Sequence, residues 1–532
     1  MNARYFGHRL RLLQAVLIAA ACSSVATADI PLIDAVQRND AATARRLLDE
    51  GAPVDGAAAD GTTALHAAVL LDDLATAELL LAAGANVSAA SRYGITPVAL
   101  AAANGSAAML TLLLEAGANP NEASREGQSA LMSAALNGSP AALKVLLEHG
   151  AAIDHREPVF GQTALMWAAA KGNATAITTL AASAADIQAK SASGFTALLL
   201  AVRENRGAAV GTLLTLGANV EDTTADGTTA LNVAILNAYF DVAAQLLDAE
   251  ANPNAADPRG SALHTLAWLH KPGTTWDAIR AFSVPETAPR PTGRVTALEL
   301  GRKLLERGAN PNTRATFREQ RFRKDLGQAL QPPGLLLGRH YLTYNGATPF
   351  YVAARNGDYR FMELLAEFGA DATIPNVGGV TPLMAAAGLD YFEGEAPGPL
   401  TGVAEEERLA AVKRALTLGN DIDAHTNFGD YPMLGGAELA RSTYPENFDD
   451  LAGLGVGDPR FNGMTALHGA VISRQTSILR YLIDQGADVH ATNQLGWTPL
   501  TMAEGVFLAN ERKEYPEAAE ILREAMRASR SR

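Results

Sequence analysis

Residues Gly94 to Glu126 read GITPVALAAANGSAAMLTLLLEAGANPNEASRE, and the fold follows from how this stretch is built. Thr96 is placed to cap a helix, and Pro97 at the first helical position gives up no hydrogen bond that a helix would use. The small residues Ala99, Ala101, Ala102 and Ala103 allow a second helix to approach closely. Asn104-Gly105 then ends the helix after about two turns. Ala108 to Glu115 predicts a second helix with Met109, Leu112, Leu113 and Leu114 on a broad apolar face. Gly117 falls where a left-handed cap is needed, and Asn119-Pro120-Asn121 turns the chain outward.

A helix pair of this length cannot bury its own apolar face, so it must stack on copies of itself. The opening glycine recurs at Gly61, Gly94, Gly127, Gly161, Gly194, Gly227 and Gly260, in steps of 33, 33, 34, 33, 33 and 33 residues. Gly346, Gly379, Gly463 and Gly496 continue the series after interruptions. Gly61 to Ala68 and Gly463 to Ala470 carry the pattern GxTxLHxAA or a near copy of it, and LLxxGA closes repeats at Leu113–Ala118, Leu146–Ala151 and Leu304–Ala309. Leu482–Ala487 keeps that closure with Ile483 as its second residue. In these motifs the sequence resembles the ankyrin repeat, with Ala64 and Ala466 where the family usually has Pro. The resemblance implies an all-α solenoid of about twelve helix pairs joined by β-hairpin fingers. It says little about activity, because such stacks look alike whatever they bind.

The predicted organisation is a leader over 1–28, an N-terminal capping repeat over 29–60 and six regular repeats over 61–259. A repeat with two insertions, 270–292 and 313–344, occupies 260–345. Two repeats over 346–428 follow, the second with insertion 388–403. A degenerate repeat or finger insertion fills 429–462, and a regular repeat with a C-terminal capping repeat completes 463–532. The inserts in the Gly260 repeat and after Gly379, with the ending GWTPLTMAEGVF, resemble a group of secreted bacterial ankyrin proteins to which no settled activity attaches.

Arg4, His8, Arg9 and Arg11 precede an apolar run from Leu12 to Ala21 that is too short to span a bilayer, and Ala26-Thr27-Ala28 offers a small-x-small cleavage site. The segment reads as a secretory signal peptide cut after Ala28, giving a periplasmic or secreted protein. The alternative is lipidation at Cys22, the chain's one cysteine, which follows a poor lipobox; a membrane association would depend on it. Removing residues 1–28 takes three arginines and no acids, leaving 40 basic and 57 acidic side chains and a formal charge of −17 in place of −14. Such a field argues against nucleic acid as a partner.

No HExxH, GxSxG, CxxC or phosphate-binding loop occurs, so neither a catalytic set nor a cofactor or metal is expected. His66, His264 and His468 take the family's TPLH position, where the resemblance implies that the imidazole ties its turn to the neighbouring repeat. His149 and His155 flank a finger without a carboxylate at ligand spacing. Trp167 falls at the core position between repeats. The resemblance places partner-binding positions at finger tips and at the ends of first helices. On this sequence these are Tyr93, Ile95, Phe160 and Phe195 at the tips, and Lys171, Arg203 and Arg355 at helix ends, beside Asn104, Asn137, Glu204, Asn237 and Asn356. Tyr93, Phe160 and Phe195 have the composition of interface anchors and are expected to be exposed. The expected function is a monomeric, non-catalytic scaffold binding a protein partner. Arg290 to Arg339 carries eleven Lys or Arg against four acids, and Arg314, Arg318, Arg321, Arg323 and Lys324 there form an alternative, insert-built site for an anion, a lipid or a small ligand.

Overall fold

A computed structural model describes residues 30–257, 260–270, 291–315, 346–389, 404–427, 461–508 and 511–530. The described helices form twelve pairs, from Pro31–Gln37 with Ala41–Asp49 to Pro499–Gly505 with Pro516–Arg530. They fall into two compact units, Met1–Ala197 with Thr215–Ala218, and Leu198–Leu214 with Asn219–Arg532.

In the first unit the first helices of successive repeats, Pro31–Gln37, Ala64–Leu70, Pro97–Asn104, Ala130–Asn137 and Ala164–Lys171, pack side by side. The second helices, from Ala41–Asp49 to Ala174–Ala182, form a parallel row behind them. Each starts for a local reason. Thr96 accepts from the Ala99 N–H with Pro97 at the first position, and Ser106 caps the following helix by accepting from Met109. Asp40 caps Ala41–Asp49 in the same way. Ala101, Ala102, Leu110, Leu113 and Ala135 are fully buried between neighbours. Burying one such leucine stabilises by roughly 1.5–3 kcal/mol, and the alanines bring the helix rows close enough for it.

The fingers between repeats contain little strand. In the first unit they show isolated bridges, Ala57 to Thr63 and Ala123 to Ser129, with turns elsewhere. At three places a polar side chain at the base of a finger joins it to the next repeat. The Asn86 N–H donates to Asp55, Ala152 to Asn121 and Asp186 to Asp154, across 31, 31 and 32 residues.

In the second unit the Asn252 N–H donates to Glu221 across 31 residues, and elsewhere the same bond recurs over longer chain lengths. Asn310 donates to Asn254, Asp371 to Asn312 and Asp488 to Asp423, across 56, 59 and 65 residues. The same contact between repeats is thus made across longer stretches of chain. The first such stretch is fixed by Asp241, whose carboxylate accepts from the Arg294 and Val295 N–H groups immediately before the helix Ala297–Glu306. The helix Pro382–Ala387 packs directly on Ala466–Ile472, and a Cβ on Gly469 would lie 2.7 Å from the Leu389 backbone nitrogen. Across that junction Thr426 donates its N–H to Met464, and the Gly463 N–H donates to Thr426; residues 428–460 between them lie outside the described residues.

Three expectations change in detail. His270 ends the helix Ala262–His270 instead of starting the insertion. Thr313, Arg314 and Ala315 belong to a finger, where Ala315 exchanges hydrogen bonds with Ala347 and Gly346. The last repeat carries a hairpin that the helical pattern did not announce, Val506–Leu508 paired antiparallel with Glu511–Lys513 between its two helices.

Candidate partner-binding surface

The finger tips of the first unit are locked by backbone. The Arg92 N–H donates to the Asp60 carbonyl at 2.7 Å, Arg125 to Tyr93 at 3.4 Å and Ala192 to Phe160 at 2.7 Å, so neighbouring tips are joined rung by rung. Gly94 sits at φ +73°, where a Cβ would meet the Arg125 nitrogen at 2.9 Å; only glycine permits this approach. At the finger that follows, Pro158 has no N–H to offer a rung and instead lies against Gly127.

Tyr93 stands 44% exposed on its tip, with the Arg92 guanidinium carbon 5.1 Å from the ring centroid. Phe160 is exposed beside Val159, which is 58% exposed. Both are held by Glu157, a buried carboxylate that accepts from the N–H groups of Val159, Phe160 and Gln162. Sequence reasoning passed over Val159 and Glu157. Their signal was the 34-residue step between Gly127 and Gly161, which gives this finger one residue more than its neighbours. Leu70 and Leu71 are also exposed, at the end of the helix Ala64–Leu70.

The other expected residues divide. Lys171 is exposed in the last turn of Ala164–Lys171. Ile95 is half-buried, and its carbonyl accepts from His66 Nε2. Phe195 is half-buried, in contrast to the exposed aromatic expected; a serine, Ser191, organises its tip by accepting the Phe195 N–H. In the second unit Arg203 pairs through Nε with Glu204 at 3.1 Å, with its side chain 21% exposed. Arg355 is buried, not presented to a partner: its guanidinium carbon lies 5.6 Å from the Trp268 ring centroid. Nearby Arg408 is fully buried, and desolvation with the like charge of Arg355 pushes its pKa down to about 9.

The asparagines expected at the binding face also bond the stack, and Asn104 and Asn137 remain exposed. Asn104 donates to the Val69 and Leu70 carbonyls, Asn137 to Ala103 and Asn356 to Ala267, in each case capping the end of the preceding repeat's first helix. Asn237 donates to Val233 within its own helix. Of the basic patch, Arg314 gives its Nε to the Gly346 carbonyl and its Nη2 to Pro375, so it works as a finger brace. Arg318, Arg321, Arg323 and Lys324 lie outside the described residues.

The three TPLH histidines behave alike. Nε2 of His66, His264 and His468 meets the carbonyl of Ile95, Ala347 and Trp497 in the next repeat, which makes it the protonated nitrogen. Nδ1 then accepts from the N–H of Thr63, Ser261 and Thr465. Burial disfavours the imidazolium against the help of the carbonyl, lowering the pKa of His66 and taking His264 and His468 to about 4. His149 bonds Val145 and His155 bonds Gly127. Among the described residues no group of His, Cys, Asp and Glu is gathered for a metal ion, and no helix is long and apolar enough to cross a membrane.

Stacked helix pairs with rung-linked fingers and a histidine tie define a helical repeat solenoid, and comparison with known proteins supplies the family. The description "Ankyrin repeats (3 copies)" matches residues 1–91, 73–157, 98–191 and 165–257, and "Ankyrin repeat" matches 345–377 and 462–494. The chain belongs to the ankyrin repeat family. Such repeats generally mediate protein–protein interaction and are typically non-catalytic. The potassium channel AKT1 of Arabidopsis thaliana is 46% identical over 46 residues, 9% of this chain and 5% of the channel. Protein phosphatase 1 regulatory subunit 27 of Homo sapiens is 43% identical over 42 residues, 8% of this chain and 27% of that one. The chain thus spans only a small part of either relative. The ankyrin repeat domain of human ASB11 superposes with a TM-score of 0.38 at 28% identity, covering 42% of this chain and 99% of that domain.

Proposed function

We propose that this protein is a non-catalytic interaction scaffold of a bacterial cell envelope that holds a protein partner on the finger tips of its first unit. The observation that carries the reading is the pair of exposed apolar tips, Tyr93 and Val159-Phe160, fixed by backbone rungs and by the Glu157 carboxylate. Rigid aromatics offer contact area at low entropic cost, and such residues dominate binding energy at interfaces. Export rests on the leader-like composition of residues 1–28, with cleavage after Ala28 or lipidation at Cys22 as the two routes. Mass spectrometry of the N-terminus distinguishes them, an Asp29 start against a diacylated Cys22.

The test is affinity capture from periplasmic extract by the wild-type chain and by a Tyr93→Ser, Val159→Ser, Phe160→Ser variant. The expected outcome is a partner retained by the wild type and reduced at least about tenfold with the variant, as truncation of hot-spot residues predicts. Equal recovery by both proteins overturns the assignment of the tips.

A further inference from the structure

In a chain of formal charge −14, the tips of consecutive fingers in the first unit carry exposed cations. They are Arg92, Arg125, Arg156 and Lys190, one on each finger from the second to the fifth. Arg92 stacks on Tyr93 and donates Nη2 to its hydroxyl at 2.9 Å, leaving the charge beside an exposed ring. The Arg156 Nη1 bridges its own finger to the next by donating to the Gly161 and Lys190 carbonyls, which fixes its position while keeping its charge.

Three carboxylates share these tips and keep their charge. Asp60 accepts from the Thr62 N–H and hydroxyl, and Glu157 is buried against three N–H groups. Glu126 is the exposed acid that remains on the row. Four cations against three carboxylates leave these tips with a formal charge of +1, opposite in sign to that of the chain, punctuated by the apolar rings of Tyr93 and Phe160.

We propose that this row binds an extended, acidic polypeptide segment that carries apolar side chains. The reading rests on the interaction surface proposed above and adds its chemistry. Carboxylates spaced along an extended strand meet Arg92, Arg125 and Lys190 in turn, and the apolar side chains between them cover Tyr93 and Phe160. Charge complementarity of this kind sets on-rate and partner choice more than total affinity.

The experiment titrates the full chain against short synthetic peptides that keep the same Leu and Phe positions and place Glu, Gln or Lys at all others. The Glu series is expected to bind tightest and to weaken as added salt shortens the Debye length from ~30 to ~8 Å. Arg92→Glu, Arg125→Glu, Lys190→Glu together should weaken the Glu series about tenfold or more, with an unchanged circular dichroism spectrum and melting curve, and should favour the Lys series instead. Wild-type binding that does not distinguish the series, that prefers Lys, or that is absent for every series overturns the acidic-segment assignment. If the Gln or Lys series binds and is lost with Tyr93→Ser, Phe160→Ser, the interaction surface stands and only its acidic preference falls. Binding indifferent to both sets of variants removes both readings.

Discussion

The two units solve the same packing problem with different amounts of chain. In the first, the bond from a finger base to the next repeat spans 31 or 32 residues; in the second it spans 31 from Glu221 to Asn252 but 56 to 65 at three other places. The histidine tie shows both lengths, with 29 residues from His66 to Ile95 and from His468 to Trp497, and 83 from His264 to Ala347. The bonded groups keep their geometry in both, because closing a longer loop costs little: each doubling adds only about 0.6 kcal/mol. A repeat interface is thus indifferent to how much chain separates its parts in sequence, provided the capping and tie residues are in register. Function can then occupy different places, on the tips of the regular unit, or in the inserts of the interrupted one.

The largest expected effects test whether both units rest on the same cores. Trp167→Ala in the first unit and Trp497→Ala in the second remove buried indoles, and each should cost roughly 3–5 kcal/mol in urea denaturation. A cost below about 1 kcal/mol at either site would mean that its repeat is not packed as the others are.

Acid should separate the two units next. The pKa of His264 and His468 falls from an ordinary value near 6.5 to about 4 in the folded chain. Above pH 6.5 both states carry neutral imidazoles and stability does not respond. As the pH drops from 6.5 toward 4 the unfolded chain takes up protons that the folded chain refuses, and stability is lost, on the order of 3 kcal/mol per histidine. Below the folded value the loss levels off. The prediction is steep destabilisation of the second unit across this window, measured by denaturation at stepped pH, and a flatter profile for His264→Gln, His468→Gln at lower overall stability. A wild-type profile flat from pH 6.5 to 4 would contradict the buried, neutral tie.

Asn137→Ala should have the smallest effect, about 1 kcal/mol, from loss of one bond to the Ala103 carbonyl at a helix end. A weakened partner with unchanged stability would instead return Asn137 to the binding face.

The fold was legible because its signals are local and repeated. The Thr96 cap, the Gly105 and Gly117 turns and the alanine stripe recur every 33 residues, so each repeat supports the reading of the others. The candidate site was legible only in part. Position in the repeat identified Tyr93 and Phe160 as tip residues, but exposure depends on the finger's own turn, which turned Phe195 half inward. The burial of Arg355 and the bonds of the helix-end asparagines were hidden for another reason. Their positions were read from the pattern, whereas their side chains found carbonyls or an indole on the neighbouring repeat, contacts that no single repeat contains. The polar ladder of Asp55, Asn121, Asp154, Asn254 and Asn312 went unread although it was periodic, because a polar residue at a turn draws no attention without its partner.

The most direct measurement is amide hydrogen exchange of the captured partner complex against the free chain. The account predicts new protection at the finger tips around 91–95, 124–128, 156–162 and 190–195 of the first unit, lost with the Tyr93→Ser, Val159→Ser, Phe160→Ser variant. Protection confined to the second unit, with these tips exchanging as in the free chain, would contradict it.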